Sequence, residues 1–173
     1  MKNLLITLLF LISLNLKAQE GSEMELKKIS TKDSIAVNKV FQKLLKAVES
    51  KQEKVFLELT LNKVECNNCV ESSDMVNYVS NKDLYNNQFK SFETSAVYKA
   101  LKKRGYRIST MEIKDYKPKN LPKSYPKDLI LFEVWIHTYL PNEWAEGHEG
   151  QSNTFQFVKI GNEYKLYGLS SIP

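Results

Sequence analysis

The spacing of apolar residues changes at Gly105, from a three- and four-residue repeat before it to near-alternation after it. From Ser34 to Glu49 the apolar positions Val37, Val40, Phe41, Leu44, Leu45 and Val48 fall on one helical stripe, with Asp33 as the expected N-cap. Ser50 and Glu53 have capping-box spacing ahead of Val55-Phe56-Leu57 and predict a second, short helix. Val55, Leu57, Leu59 and Leu61 also alternate as in a strand, so both readings stay open there. Cys66-Asn67-Asn68-Cys69 follows in a polar turn. Ser80 and Asp83 form another N-terminal box with Leu84, Tyr85 and Phe89 facing inward. Thr94 or Ser95 then caps a helix that carries Val97 and Leu101 and stops at Gly105.

Beyond Gly105, Tyr106 to Tyr116 is rich in β-branched residues and alternates irregularly, which predicts an exposed or bulged strand. Pro118, Pro122 and Pro126 mark a loop that can continue neither element. Leu129 to Leu140 is the clearest strand, with Ile130, Phe132, Val134 and Ile136 on one face and Glu133, Trp135, His137 and Tyr139 on the other. Pro141 to Gly150 reads as a polar turn, Asn153 to Ile160 as a third strand, Gly161-Asn162 as a hairpin turn and Glu163 to Ile172 as a fourth strand. The expected class is α+β, with N-terminal helices packed on one face of a four-stranded antiparallel meander.

This order, and above all the closing hairpin Phe155-Gln-Phe-Val-Lys-Ile-Gly-Asn-Glu-Tyr-Lys-Leu-Tyr-Gly-Leu, resembles the nuclear transport factor 2-like (cystatin-like) superfamily over about Asp33 to Ile172. The resemblance implies a strongly curved sheet with the helices lying in its curve, and a cone-shaped pocket between them. The superfamily spans isomerases, dehydratases, cyclases, transport adaptors and exported proteins of unknown role, so the fold leaves the use of the pocket open. Trp135, Tyr139, Phe155 and Phe157 are the expected pocket walls.

The first residues bear on compartment. Lys2 supplies a positive start, Leu4 to Leu16 an apolar run broken by Thr7, Ser13 and Asn15, and Lys17-Ala18-Gln19 a small residue for cleavage. Residues 1–18 therefore read as a signal peptide, 19–32 as a flexible segment and 33–173 as one domain, exported to the periplasm or secreted. The apolar run is too short for a membrane span, which needs about 20 residues. Removing Lys2 and Lys17 lowers the net charge from +5 to +3, with the lysines scattered. Lys102-Lys103-Arg104 precede Gly105 and complement a helix C-terminus. With no basic stripe interleaved with aromatics, nucleic acid is not an expected partner. A small molecule or a protein is, and a homodimer is possible on the same reading.

Candidate chemistry is sparse. In an oxidising compartment Cys66 and Cys69 are expected to pair and stiffen a turn. Thiol–disulfide exchange and soft-metal binding are the alternatives at that motif. Glu133 and His137 share one face of the Leu129–Leu140 strand, so the two form a candidate acid–base pair with Trp135 and Tyr139 as an aromatic wall if that face lines the pocket. If it faces solvent they are a surface row. His137 and His148 fall about four residues out of register across their hairpin, on the order of 13 Å apart, too far for a shared metal. The loop Asn142 to Gly150, with Glu143, Glu146 and Glu149, reads as a hairpin tip and lacks calcium-loop spacing. No cofactor or metal is expected. The favoured reading is a binding domain without catalysis, and the alternative is a proton-transfer enzyme using Glu133 and His137.

Overall fold

The computed structural model describes residues 24–69 and 76–172, so the signal-peptide reading of residues 1–18 lies outside the described residues. Helix α1 (Thr31–Glu49) forms where the apolar stripe repeats, and buries Val37, Phe41, Leu44, Leu45, Ala47 and Val48. Its N-cap is Ser30 and not Asp33: the Ser30 hydroxyl accepts the Asp33 N–H at 3.0 Å and donates to Asp33 Oδ2 at 2.6 Å. Asp33 thus closes the box from inside the first turn. Ser50, expected to open the next helix, ends α1 instead, its N–H donating to the Lys46 carbonyl. Helix α2 (Glu53–Glu58) starts at Gln52 without a side-chain cap, and strand β2 (Thr60–Cys66) follows almost at once. Both readings of the Val55–Leu61 stretch were therefore partly right, because a short helix hands over directly to a strand.

Strand β3 (Tyr78–Ser80) leads into α3 (Asn81–Leu84), where the Ser80 hydroxyl accepts the Asp83 N–H at 3.0 Å as the box spacing predicts. Ser95, and not Thr94, caps α4 (Ala96–Arg104). The helix stops at Gly105, whose φ of 74° is a conformation that costs glycine alone little. The basic run at this end is paired: the Arg104 guanidinium reaches the carbonyls of His137 and Thr138 and the carboxylate of Glu143, and Lys102 pairs with Glu49. These contacts fasten α4 to the sheet, to the hairpin tip and to the end of α1.

The expected meander is present as β4 (Arg107–Ile113), β5 (Leu129–Tyr139), β6 (Gln151–Ile160) and β7 (Glu163–Ile172). It is part of a larger sheet than the sequence suggested. Seven strands run in the order β1-β4-β5-β6-β7-β2-β3, with β1 (Met24–Lys27) added beside β4. β2 lies parallel to β7, with Cys66 opposite Leu169, so the sheet is mixed. All four β1 side chains are exposed, so backbone pairing to β4 makes that strand and no apolar pattern announces it within the stretch read as flexible. β4 is consequently an interior strand in continuous register, with Thr110 and Glu112 buried, and neither an edge nor bulged.

The helices cover the face that carries Phe132, Val134, Ile136, Phe155, Phe157, Tyr164 and Leu166. Phe41 projects from α1 into this face and meets Tyr106 and Phe155 edge-on, with ring centroids 4.8 and 5.2 Å away. The opposite face carries Leu129, Leu131, Val158 and Tyr167, and is covered by Tyr116, Leu121 and Tyr125 from the proline-bearing segment 114–128. That segment acts as a second layer, and Tyr116 and Tyr125 belong to it.

Asp33 joins α1 to the closing hairpin, accepting hydrogen bonds from Ser30 and Tyr164 and pairing with Lys159. These donors hold its carboxyl below the usual range, chiefly the Ser30 hydroxyl and then Tyr164. A carboxyl lowered on folding contributes stability above its unfolded pKa and loses it as pH falls through the folded value. Asp33→Asn should therefore cost on the order of 1 kcal/mol at pH 6. In urea titrations its gap to the natural chain should narrow toward pH 3, and a gap that is constant with pH would contradict the assignment.

Candidate functional site

Between the helices and the sheet, where the end of β2 lies against β7, is a partly open cavity of about 180 Å³. Phe155 is placed there by β6, paired between Val134 of β5 and Leu169 of β7. Phe89 and Phe92 come from the chain after α3. That helix widens at Tyr85–Phe89 into a π turn, closed by the Lys90 N–H on the Tyr85 carbonyl at 2.8 Å, and a 3-10 turn at Phe92–Thr94 follows. The wide turn puts the neighbours Gln88 and Phe89 both on the wall, and single π turns recur at functional sites. The Phe89 and Phe92 ring centroids are 5.2 Å apart, and each is 5.9 Å from that of Phe155.

Val97 and Leu169 complete the apolar wall, and Asn68, Gln88, Ser95 and Asn153 form the polar rim. Much of that polarity is already used within the protein. Ser95 caps α4, Asn153 accepts from the Thr138 hydroxyl, and Asn68 donates to Ser171 at 2.7 Å. Among the described residues no acid, base or thiol lines the cavity, since Cys66 and Cys69 are joined in a disulfide. The described wall is a neutral aromatic hollow. Its chemistry is burial of apolar surface, with a few amide and hydroxyl groups to orient what enters.

The structure separates the residues the sequence grouped. Phe155 lines the cavity. Phe157 is fully buried in the core beside Phe41 and does not reach it. Trp135 and Tyr139 are on the opposite face of the sheet, where the Trp135 indole N–H donates to Ser109 at 2.9 Å and Tyr139 packs near Trp144 and His148. Glu133 is on that face too, 3% exposed, accepting the Gln156 amide at 3.0 Å. His137 is exposed, with Nδ1 2.9 Å from the Ser152 hydroxyl. Four residues apart on one strand, Glu133 and His137 are on the order of 13 Å from each other along it, and the fold does not bring them together. His148 turns its Nδ1 to the Gly150 N–H, and Glu143 in the same loop is occupied by Lys103, Arg104 and the Leu140 N–H. Among the described residues no cluster of three or more His, Cys, Asp or Glu is placed to hold a metal ion.

Sequence reasoning assigned Phe89 and Val97 to inner helix faces and did not single out Phe92, Gln88, Asn68 or Leu169. The density of phenylalanine between 89 and 92 was the available signal. The π turn that aims those rings has no local signature.

Cys66 is the last residue of β2, 3% exposed, and Asn67–Cys69 make a single 3-10 turn. The turn is tied down by the Asn77 N–H on Asn67 Oδ1 at 2.8 Å and by Asn68 on Ser171. So short a covalent loop restricts the unfolded chain little, and other contacts already hold the corner. A Cys66→Ser/Cys69→Ser variant should lose no more than about 2–3 kcal/mol in chemical denaturation and keep its circular dichroism spectrum. Failure to fold would show that the bridge holds more than the corner. Compared with known proteins, the chain matches no described family and no curated sequence.

Proposed function

We propose that the protein is an exported, non-catalytic binding module that holds a small apolar molecule in the cavity walled by Phe89, Phe92 and Phe155. The observation that carries this reading is the character of the wall: three converging aromatic rings, a half-open mouth and, among the described residues, no titratable side chain. Cavity size bounds the ligand. A dry cavity of about 150 Å³ accepts benzene, so about 180 Å³ suits one ring or a compact bicycle. The nuclear transport factor 2-like resemblance is supported by the placement of helices over one face of the sheet, with the closing hairpin contributing Phe155 and Leu169 to the hollow. The leader-like first residues and a disulfide at the rim support export, because such bonds persist in oxidising compartments. A protein partner, including a second copy of this chain, would act at the mouth.

Proton transfer by Glu133 and His137 lacks comparable support, since both groups face away from this cavity. Indole and naphthalene titrated into the protein should shift the methyl resonances of Val97 and Leu169, with saturable binding at millimolar concentration or below. Val97→Trp, which fills the hollow from the rim, should weaken binding at least tenfold while keeping the unfolding midpoint close to that of the natural chain. If neither probe binds, or if both bind Val97→Trp as well as the natural chain, the reading fails.

A further inference from the structure

The face of the sheet turned away from the helices carries a line of directly paired positions, one on each of six strands: Ser109, Glu133, Gln156, Gly168, Glu65 and Tyr78. Directly opposed residues share a face, so their side chains stand in one row. Gly168 is what lets the row close up. A β-carbon there would sit 2.9 Å from Gln156 Oε1 and 3.2 Å from the Glu65 β-carbon. The β6–β7 register shifts between Gln156 and Phe157, which leaves Tyr167 as the extra residue of a bulge. Bulges re-aim side chains, and this one directs the Tyr167 hydroxyl to Glu65 Oε2.

Beside this row, under the covering segment 114–128, is a second cavity of about 230 Å³. Glu65, Gln156, Tyr167 and Tyr116 contribute its polar and aromatic wall, and Met111 and Leu131 its apolar floor. The charges there are not balanced. Neither Glu65 nor Glu133 pairs with a lysine or arginine among the described residues. Gln156 is 8% exposed, and Glu133, which can only accept when ionised, takes the amide N–H₂ and so orients Oε1 toward Gly168 and Glu65. No described residue donates to Gln156 Oε1 or to Glu65 Oε1. The negative field extends to Tyr78, whose hydroxyl is pushed up to about 12 by burial, by Glu65 and by Tyr116, against the opposing hydrogen bond with Tyr167.

We propose that this second cavity binds a primary alkylammonium ion, with the ammonium between Glu65 and Gln156 Oε1 and the alkyl chain along Met111 and Leu131. An –NH₃⁺ group brings the three donors that the two free acceptors lack, and the charge that Glu65 is missing. Tyr116 and Tyr167 add aromatic surface of the kind cations favour. The volume lies below the roughly 300–1,000 Å³ of drug-sized sites, which restricts the ligand to a short amine or an amine-bearing tip. The site is independent of the aromatic hollow on the other side of the sheet.

The test is an NMR titration at pH 7 with n-butylammonium and, as its neutral counterpart, 1-butanol. Butylammonium should bind saturably, shifting the methyl signal of Met111, and 1-butanol should bind at least tenfold more weakly. Glu65→Gln should remove that preference. Tyr116→Leu, a change in the covering segment, should weaken butylammonium at least threefold with the unfolding midpoint retained, and supplies the answer should Glu65→Gln fail to fold. Val97→Trp should leave butylammonium binding unchanged. Equal binding of the alcohol, no binding of the amine, or amine binding indifferent to both substitutions would each overturn the proposal.

Discussion

The pairing on which the rest of the structure depends is the parallel contact of β2 with β7. Parallel neighbours cannot be joined by a tight turn and need a long crossover. Here the crossover contains β3, α3, α4 and strands β4 to β6, so this one contact closes a loop that holds most of the sheet. Its register has a direct chemical consequence. Glu65 and Cys66 are consecutive, and consecutive strand residues point to opposite faces. Glu65 enters the cavity under segment 114–128, while Cys66 enters the aromatic hollow beneath the helices. Their partners Gly168 and Leu169 divide the same way. Two cavities of opposite character are thus built back to back on one pair of strands, and a one-residue slip would exchange their linings.

What could be read from the sequence follows from how local each signal is. Ser80 with Asp83 and Gly105 each act within a single turn, so residue type and spacing were enough to place them, whereas the neighbours Thr94 and Ser95 fit the α4 cap equally by spacing and only Ser95 fills it. The β5, β6 and β7 strands were legible because they are neighbours in both sequence and sheet, a tight turn joins β6 to β7, and the alternation is strong. β1 was not legible, because a strand with four exposed side chains leaves no apolar trace and exists through its pairing with β4. The Asp33 and Ser50 errors have a common cause. Capping spacing recurs by chance among closely placed Ser, Asp and Glu residues, and the choice between Ser30 and Asp33 was settled by contacts of Asp33 with Tyr164 and Lys159, more than 120 positions away.

The candidate sites were less legible than the fold for a related reason. The alternation of β5 assigns Glu133, Trp135, His137 and Tyr139 correctly to one face, but alternation carries no sign for inward or outward. A sheet covered on one side would have made that face either pocket or solvent. Here the proline-bearing segment adds a second cover over Leu129 and Leu131, and the face divides into a buried half with Glu133 and an exposed half with His137. Composition gave no warning, since the tyrosines and leucines that build this cover are the residue types any core would use.

Buried carboxylates give this second layer its interest. Removing a charge from water without a partner charge is costly, and an apolar residue of similar shape would often serve stability as well or better. On the helix-covered face Glu112, opposite Ile130, meets that cost by pairing with Lys27 of β1. Glu133 meets part of it through the Gln156 amide, and that bond turns the amide oxygen toward Gly168 and Glu65. A network optimised for stability alone would end in a donor, such as a lysine reaching over from β3 or from the covering segment. This one ends in two acceptors facing a hollow. Lys117 in the covering segment donates to the carbonyls of Lys123 and Tyr125 and stiffens the cover. The sheet thus holds open a place for positive charge while Lys117 is engaged within the cover, an arrangement that makes physical sense when the charge arrives with a ligand.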